Sequence, residues 1–489
     1  MSDSLTSRNA AASTTGTDAL AVEPQPGLTS STNSSDAPYL HNISSRVSVV
    51  KPVPHGKVDD DVELQELPAT SIENQSDRDA AAALPPPDPF VTHKALANAQ
   101  YAALCWSLFM AGWNDGTTGP LLPRIREVYH VGFAVVSLIF IVNCIGFVSG
   151  SVSNIWLTNK VGFGKAIVIG AFAQLVGYAI QAAAPPFPAF TIGYLFNGFG
   201  LSLQDAQANG YVASYRYNAA ARMGVLHGVY GLGAFCSPLV ATQFANMRRW
   251  SFHYLCSLGV ALINLVLLSV IFRFKTQDEC LAEVGQQPEA KDSSEDGHYR
   301  QIFKLRALHL LAFFTLIYVG VEVTVGSWSV TYVQDQRGGG LSSGYISSGF
   351  FGGLALGRVA LLWLNSMVGE RRVIFLYIIL AIGLELVVWL VPSLVGGAVA
   401  VSIVGLLLGP VYPIIMNESS RILPRWLLTG CIGWIAGLGQ AGSAVLPFMT
   451  GAIASGAGIQ SLQPLLVSMM GLLMVLWALV PRPKAQHAD

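Results

Sequence analysis

Four carboxylates lie inside long apolar runs of this 489-residue chain: Asp115, Asp205, Glu322 and Glu385. A charge inside a hydrocarbon layer is costly unless it faces a wet cavity or finds a partner, so each is a candidate for chemistry. Asp115 stands in Trp113-Asn114-Asp115-Gly116, with Pro120 and Pro123 following. Gly and Pro around an acid predict an irregular helix whose freed carbonyls line a polar space. Asp205 shares its run with Asn197, Gln204, Gln207 and Asn209. Asp205 and Asn209, four apart, fall on one helix face. Carboxyl groups in such a cavity can exchange protons near neutral pH, which makes Asp205, Asp115 and Glu322 the proton-coupling candidates. Trp113, Asn114, Gln204, Gln207, Asn209 and Trp328 supply amides and rings that suit a neutral, hydroxyl-rich ligand. Trp328 and Tyr332, beside Glu322, also suit plain interfacial packing. Glu385 has no polar neighbour in sequence, and His227 reads as a buried hydrogen-bonding group.

The elements that position these residues must be membrane helices. Hydrophobic residues make up 52% of the chain and charged ones 12%, far from the balance of a soluble domain. A net charge of -1 offers no basic face to nucleic acid. Five of the six cysteines (Cys105, Cys144, Cys236, Cys256, Cys431) sit in apolar stretches without metal-like spacing, as small buried hydrophobes do. Gly162-Phe163-Gly164-Lys165 lacks the spacing and the terminal Ser or Thr of a nucleotide-binding loop. No metal cluster or nucleophile–base arrangement is visible, so the chain reads as no enzyme, with no cofactor and a proton gradient as its driving force.

Residues 1–94 are rich in Ser, Thr, Asn, Asp and Pro, with an acidic excess. Such a segment buries too little apolar surface to offset its chain entropy and is expected to be a disordered cytosolic tail. The sequons at Asn33 and Asn42 read as chance in that composition, and no cleaved signal peptide is expected. From Ala95 the apolar runs approach the roughly 20 residues that span a bilayer. They predict twelve helices, at 97–121, 134–157, 165–184, 189–213, 223–245, 253–274, 307–333, 343–365, 373–392, 396–417, 427–451 and 463–481. The fold class is thus all-α polytopic: a six-helix bundle over 95–274, a polar cytosolic linker over 275–305, a second bundle over 306–482 and a tail over 483–489. Positive residues favour the cytosolic side. With both termini inside, that side gains Lys160, Lys165, Arg216, Arg222, Lys304, Arg306, Arg371, Arg372, Arg421, Arg425, Arg482 and Lys484, against Arg124, Arg126, Arg248, Arg249 and Arg337 outside.

The halves also repeat. A shift of 207 residues places Gly119, Gly146, Gly150 and Gly162 on Gly326, Gly353, Gly357 and Gly369, Lys165 on Arg372, and Asp115 on Glu322. Internal repeats are a common construction of secondary transporters, whose substrate site lies between them. The Gly-rich runs 228–233 and 430–442 let helices pack closely.

At Asn114-Asp115 and Gly200-Leu201-Ser202-Leu203-Gln204-Asp205-Ala206-Gln207-Ala208-Asn209 the chain resembles the fucose-permease-like branch of the major facilitator superfamily. The resemblance spans residues 95–482, and the long polar N-terminus is similar to that of fungal members. It implies that Asp205 is the proton-linked carboxylate, where the branch usually has Glu, and that Asp115 is a second coupling or sugar-binding acid. The segment Ser153–Lys160 lacks the acid of the superfamily's gating motif. Arg358 with Glu370-Arg371-Arg372 is nearer to that motif and is expected to gate the cytoplasmic side. The resulting expectation is a monomeric, plasma-membrane carrier coupled to protons, working by alternating access on a small, sugar-like solute. The rivals are an exporter of a fungal metabolite or drug and a non-transporting nutrient receptor.

Overall fold

The computed structural model describes residues 93–215, 218–285, 303–424 and 427–482. The N-terminal tail with Asn33 and Asn42, most of the linker, the C-terminal tail, and Arg216, Arg425 and Lys484 lie outside those residues. Sixteen α-helices and no strand form among the described residues. In the first half these are α1 (Lys94–Val128), α2 (Phe133–Val136), α3 (Leu138–Val161), α4 (Phe163–Ala182), α5 (Phe187–Ala213), α6 (Ala219–Ala245) and α7 (His253–Phe272). The short α8 (Gln277–Glu283) follows. The second half has α9 (Arg306–Arg337), α10 (Tyr345–Ala360), α11 (Leu362–Val368), α12 (Glu370–Leu390), α13 (Leu394–Leu408), α14 (Val411–Ile422), α15 (Leu428–Ala457) and α16 (Leu462–Leu479).

A helix stands at each of the twelve expected positions, and three of them are broken. Ser137 separates α2 from α3, Leu361 marks a 54° bend between α10 and α11, and Gly409-Pro410 separates α13 from α14. Pro410 has no backbone N–H to give a continuing helix. Conversely, α1 runs unbroken through Pro120 and Pro123 for 35 residues, so the irregular helix expected around Asp115 is not found. Among the described stretches, nine helices are long and apolar enough to cross a bilayer, or ten with the bent pair. The two other membrane-length helices, α1 and α5, are too polar to count by composition. They carry Asn114-Asp115 and the Gln204–Asn209 cluster.

The halves are built alike. In the first, α1 packs on α6, α3 and α4 on α5, and α4 on α7; in the second, α9 packs on α15, α10 and α12 on α13, and α12 on α16. Repeat-related glycines make the same contacts. Gly146 and Gly150 press on the backbone of Leu195 and Phe199, and Gly353 and Gly357 press on that of Ser402 and Leu406. Each member of the second set lies 207 residues after its counterpart. A side chain at any of the four would strike backbone, which makes these close helix crossings of the small-residue kind.

We call the side holding Val128 and Arg337 the far face and the side holding Lys94 and Arg306 the near face. On the far face the halves are zipped. Arg126 pairs with Asp335 at 3.0 Å, Ala134 N–H donates to Ser455 Oγ at 2.8 Å, and Gln243 bonds Tyr345. Phe133 and Phe140 pack against Trp328. Toward the near face, on the same sides of α6 and α15, Gly224, Gly228, Gly433 and Gly437 meet only open space. The halves therefore diverge there.

Candidate functional site

Between the halves lies a cavity with about 750 Å³ of empty space, part of it open to solvent. The first half contributes Asn114, Asp115, Thr118, Phe140, Asn143, Tyr194 and Tyr230, and the second Glu322, Ser327, Phe351, Gln440 and Ser443. The lining thus mixes two acids, three amides, hydroxyls and aromatic faces.

Asp115 is held by two donors: Tyr230 Oη at 2.7 Å and the Asn114 amide at 3.2 Å. Tyr178 Oη in turn donates to Asn114 Oδ1 at 3.0 Å and fixes that amide. Glu322, on α9, lines the same cavity from the second half. The two acids that coincide under the repeat therefore meet in one cavity. Neither forms an ion pair among the described residues.

Asp205 does not line this cavity. It is half-buried on α5 and accepts from Asn209 Nδ2 at 2.9 Å. The expected Asp205–Asn209 face is thus formed.

Several residues expected at the site bond to neighbouring helices and do not line this cavity. Gln204 is buried in an amide ladder, donating to Gln174 at 2.6 Å and accepting from Asn264. Gln207 is tied to Asn154 and Thr158 on α3. The Trp113 indole donates to Ser257 at 2.8 Å and stacks on His253. Trp328 is fully buried, its Nε1 donating to the Pro447 carbonyl at 3.1 Å. Of the expected ligand residues only Asn114 reaches the cavity. His227 lies two turns inside α6, within the field of Arg358. Glu385 is fully buried away from the cavity near Gln463.

The expected near-face gate takes a different form. Glu370 pairs with Arg421 at 2.8 Å, Arg421 with Glu418 at 3.0 Å, and Asn417 donates to Glu370 at 3.0 Å. Arg371 donates to the Val480 and Pro481 carbonyls. All of these bonds stay within the second half, so they fasten α12, α14 and the end of α16 together and do not clasp the two halves. Neither Arg372 nor Arg358 is part of this network among the described residues.

Reading along the chain missed Tyr230, Tyr194, Asn143, Gln440 and Ser443. Asn143 and Gln440 were the findable ones, as lone amides inside apolar runs. Tyr230 sits in a Gly-rich run and gives no such signal.

Residues 104–425 match the model of the Major Facilitator Superfamily. Bypass of stop codon protein 6 of Saccharomyces cerevisiae is 27% identical over 412 residues, 79% of this chain and 83% of that protein. The glucose/mannose transporter GlcP of Bacillus subtilis is 22% identical over 353 residues, 70% of this chain and 85% of that one. Among solved structures, a D-xylose-proton symporter superposes with a TM-score of 0.68 at 11% identity, over 79% of this chain and 99% of that chain. The E. coli fucose:proton symporter FucP superposes at 0.54 with 16% identity, over 78% and 98%. The fucose-permease-like and fungal features of the sequence agree with these neighbours. The chain belongs to the Major Facilitator Superfamily, a family of transporters and not of enzymes.

Proposed function

We propose that this transporter carries a small sugar-like solute together with protons by alternating access. The observation that carries the reading is the shared cavity. Asp115 and Glu322 face it from opposite halves, beside the amides of Asn114, Asn143 and Gln440 and the hydroxyls of Thr118, Tyr194 and Ser443. Amides and hydroxyls match a ligand rich in hydroxyl groups, and Phe140 and Phe351 offer apolar walls for a pyranose face. The names of the relatives support the same class: GlcP for glucose and mannose, and two sugar–proton symporters of the same fold.

Asp205 is the proposed proton-linked carboxyl, with Asp115 and Glu322 as the next candidates. Among the described residues its hydrogen-bond partner is a neutral amide and it forms no ion pair, so a proton is free to balance its charge. The cation distribution over the short loops favours a cytosolic near face, which makes the zipped far face extracellular and this conformation inward-facing. A plasma-membrane location accompanies the proposal.

Uptake into liposomes reconstituted with the purified protein tests it. D-glucose, D-mannose, D-xylose and L-fucose are offered with and without an acidic exterior, and one or more should accumulate only with the gradient. Uptake that ignores the gradient for every sugar counts against the coupling. A tag at the N-terminus and one within 278–294 should both be inaccessible in sealed cells, and labelling of either from outside would reverse the topology.

A further inference from the structure

Two carboxamides line the cavity from opposite halves. Helices α3 and α15 run antiparallel along the junction: Ala134 meets Ser455 just before α3, Ser137 meets Gly451, and Cys144 Sγ lies 4.0 Å from the Gln440 carbonyl oxygen. Phe140 and Asn143 line the cavity from α3, and Gln440 and Ser443 line it from α15. Residues three apart share a helix face, so the two strips of wall lie side by side, with Asn143 level with Gln440. One and two turns farther toward the near face, Gly437 and Gly433 meet only open space. Asn143 and Gln440 therefore stand where the two helices begin to part.

Their hydrogen-bonding capacity is unspent. Asn143 Oδ1 is buried with no donor among the described residues, and no acceptor among them takes the hydrogens of its amide nitrogen. Gln440 Oε1 is 3.3 Å from Ser443 Oγ, but that hydroxyl has one hydrogen and a shorter bond, at 2.7 Å, to the Gln440 carbonyl. The Gln440 amide nitrogen also has no acceptor among the described residues. Each side chain thus offers both a donor and an acceptor. Gln204, Gln207 and Asn209 differ, because their amide nitrogens are bonded to other side chains of the protein. A buried polar group left without a partner is costly. Water completes such groups in an empty site, and a ligand that reproduces its bonds displaces it without loss.

We propose that Asn143 and Gln440 clamp two hydroxyl groups on adjacent carbons of the solute, one from each half of the protein. This inference rests on the reading of the cavity as the transport site and names the part of a sugar that the site grips. A hydroxyl is both donor and acceptor, so it can accept from an amide N–H while donating to an amide oxygen. Two hydroxyls on neighbouring carbons present that pattern twice, as the two carboxamides do. A site built to hydrogen-bond a hydroxyl discriminates against an analogue that lacks it, because its own polar groups are then left unpaired. Since the members of the clamp belong to different halves where these begin to diverge, a solute held by both ties binding to the relative position of the halves.

The test is exchange across proteoliposomes holding equal sugar on both sides, which needs no gradient. The sugars are the fastest-exchanged of D-glucose, D-mannose, D-xylose and L-fucose, and its singly deoxygenated derivatives. Asn143→Ala and Gln440→Ala should each raise the half-saturating concentration about tenfold, with little change in the maximal rate. For each variant one deoxy sugar should be exchanged as well as by the wild-type protein, because it lacks the hydroxyl that the missing amide held. The two matched positions should be adjacent carbons. The wild-type protein alone gives a second measurement, in which loss of either of two adjacent hydroxyls weakens exchange about tenfold. Unchanged half-saturation in both variants, an equal loss for every deoxy derivative, or matched positions that are not adjacent overturns the clamp and leaves the sugar reading standing. So does a wild-type protein indifferent to the loss of every adjacent pair. Exchange of none of the four sugars by the wild-type protein would overturn both.

Discussion

Gly119 and Gly326, equivalent under the 207-residue repeat, touch where α1 crosses α9. A methyl group on Gly119 would collide with the Gly326 carbonyl oxygen. Asp115 and Glu322 lie one turn below, so the repeat axis runs between the two glycines and through the cavity. Gly119→Ala should therefore force the far-face crossing apart and favour the state open on that side. A cysteine placed at Ser327 should then react faster with a membrane-impermeant thiol reagent from the far face. Unchanged labelling in a well-folded variant would mean that the crossing yields without opening.

The Arg126–Asp335 pair tests how much electrostatics adds to that closure. Both side chains are about a quarter to a third exposed, at 26% and 32%. Pairs of this kind contribute about 0–1 kcal/mol, so Arg126→Gln should raise far-face labelling by no more than about fivefold. Exchanging the two charges should restore the wild-type rate. A much larger effect would point instead to the contact of Arg126 with the Phe133 ring.

Asp205→Asn should abolish accumulation driven by a proton gradient while sparing exchange of sugar at equal concentrations. The amide keeps the shape and the Asn209 contact but releases no proton. Accumulation near the wild-type level would move the coupling to Asp115 or Glu322.

The positions of the helices and of the acids were legible in the sequence because each rests on a local cost. An apolar run must span a bilayer, and an acid within it must face something polar. The repeat was legible because Gly146, Gly150, Gly353 and Gly357 each admit a neighbouring backbone. Side-chain direction was not. Trp328 beside Glu322 resembles a ligand-stacking ring until Pro447, 119 residues away, takes its N–H. Gln204 and Gln207 share the polar run of Asp205, yet their amides are taken by Gln174, Asn264, Asn154 and Thr158 on neighbouring helices. The breaks at Ser137 and Leu361 lie inside apolar runs, where hydropathy cannot register a bend. Arg126 and Asp335 are 209 residues apart, and neither marks itself as half of a clasp.

On the near face, α8 gives a pH-dependent prediction. Its N-terminus is a capping box: Glu279 accepts from the Thr276 N–H at 2.8 Å, and Thr276 Oγ1 accepts from the Glu279 N–H at 3.3 Å. The bond from the Thr276 backbone, then that involving its side chain, hold the Glu279 carboxyl below its ordinary value. A carboxyl lowered in the folded state stabilises fully above its unfolded value, about 4.3, and that contribution is lost as pH falls through the lowered value. Cys280 beneath it is fully buried, and burial pushes its thiol up to about 12. Thr276→Ala, a loss of about 1 kcal/mol of capping, should therefore speed modification of Cys280 at neutral pH in a variant free of other cysteines. An unchanged rate would show that docking of α8 does not depend on its cap.

Proton movement caused by sugar alone, with no gradient imposed, tests the central claim most directly. Proteoliposomes loaded with a pH-sensitive dye are given D-glucose, D-mannose, D-xylose or L-fucose at equal pH inside and out. Entry of a transported sugar should acidify the interior in wild-type protein and should leave it unchanged in Asp205→Asn. Sugar entry by the wild-type protein without any change in internal pH would contradict proton coupling outright.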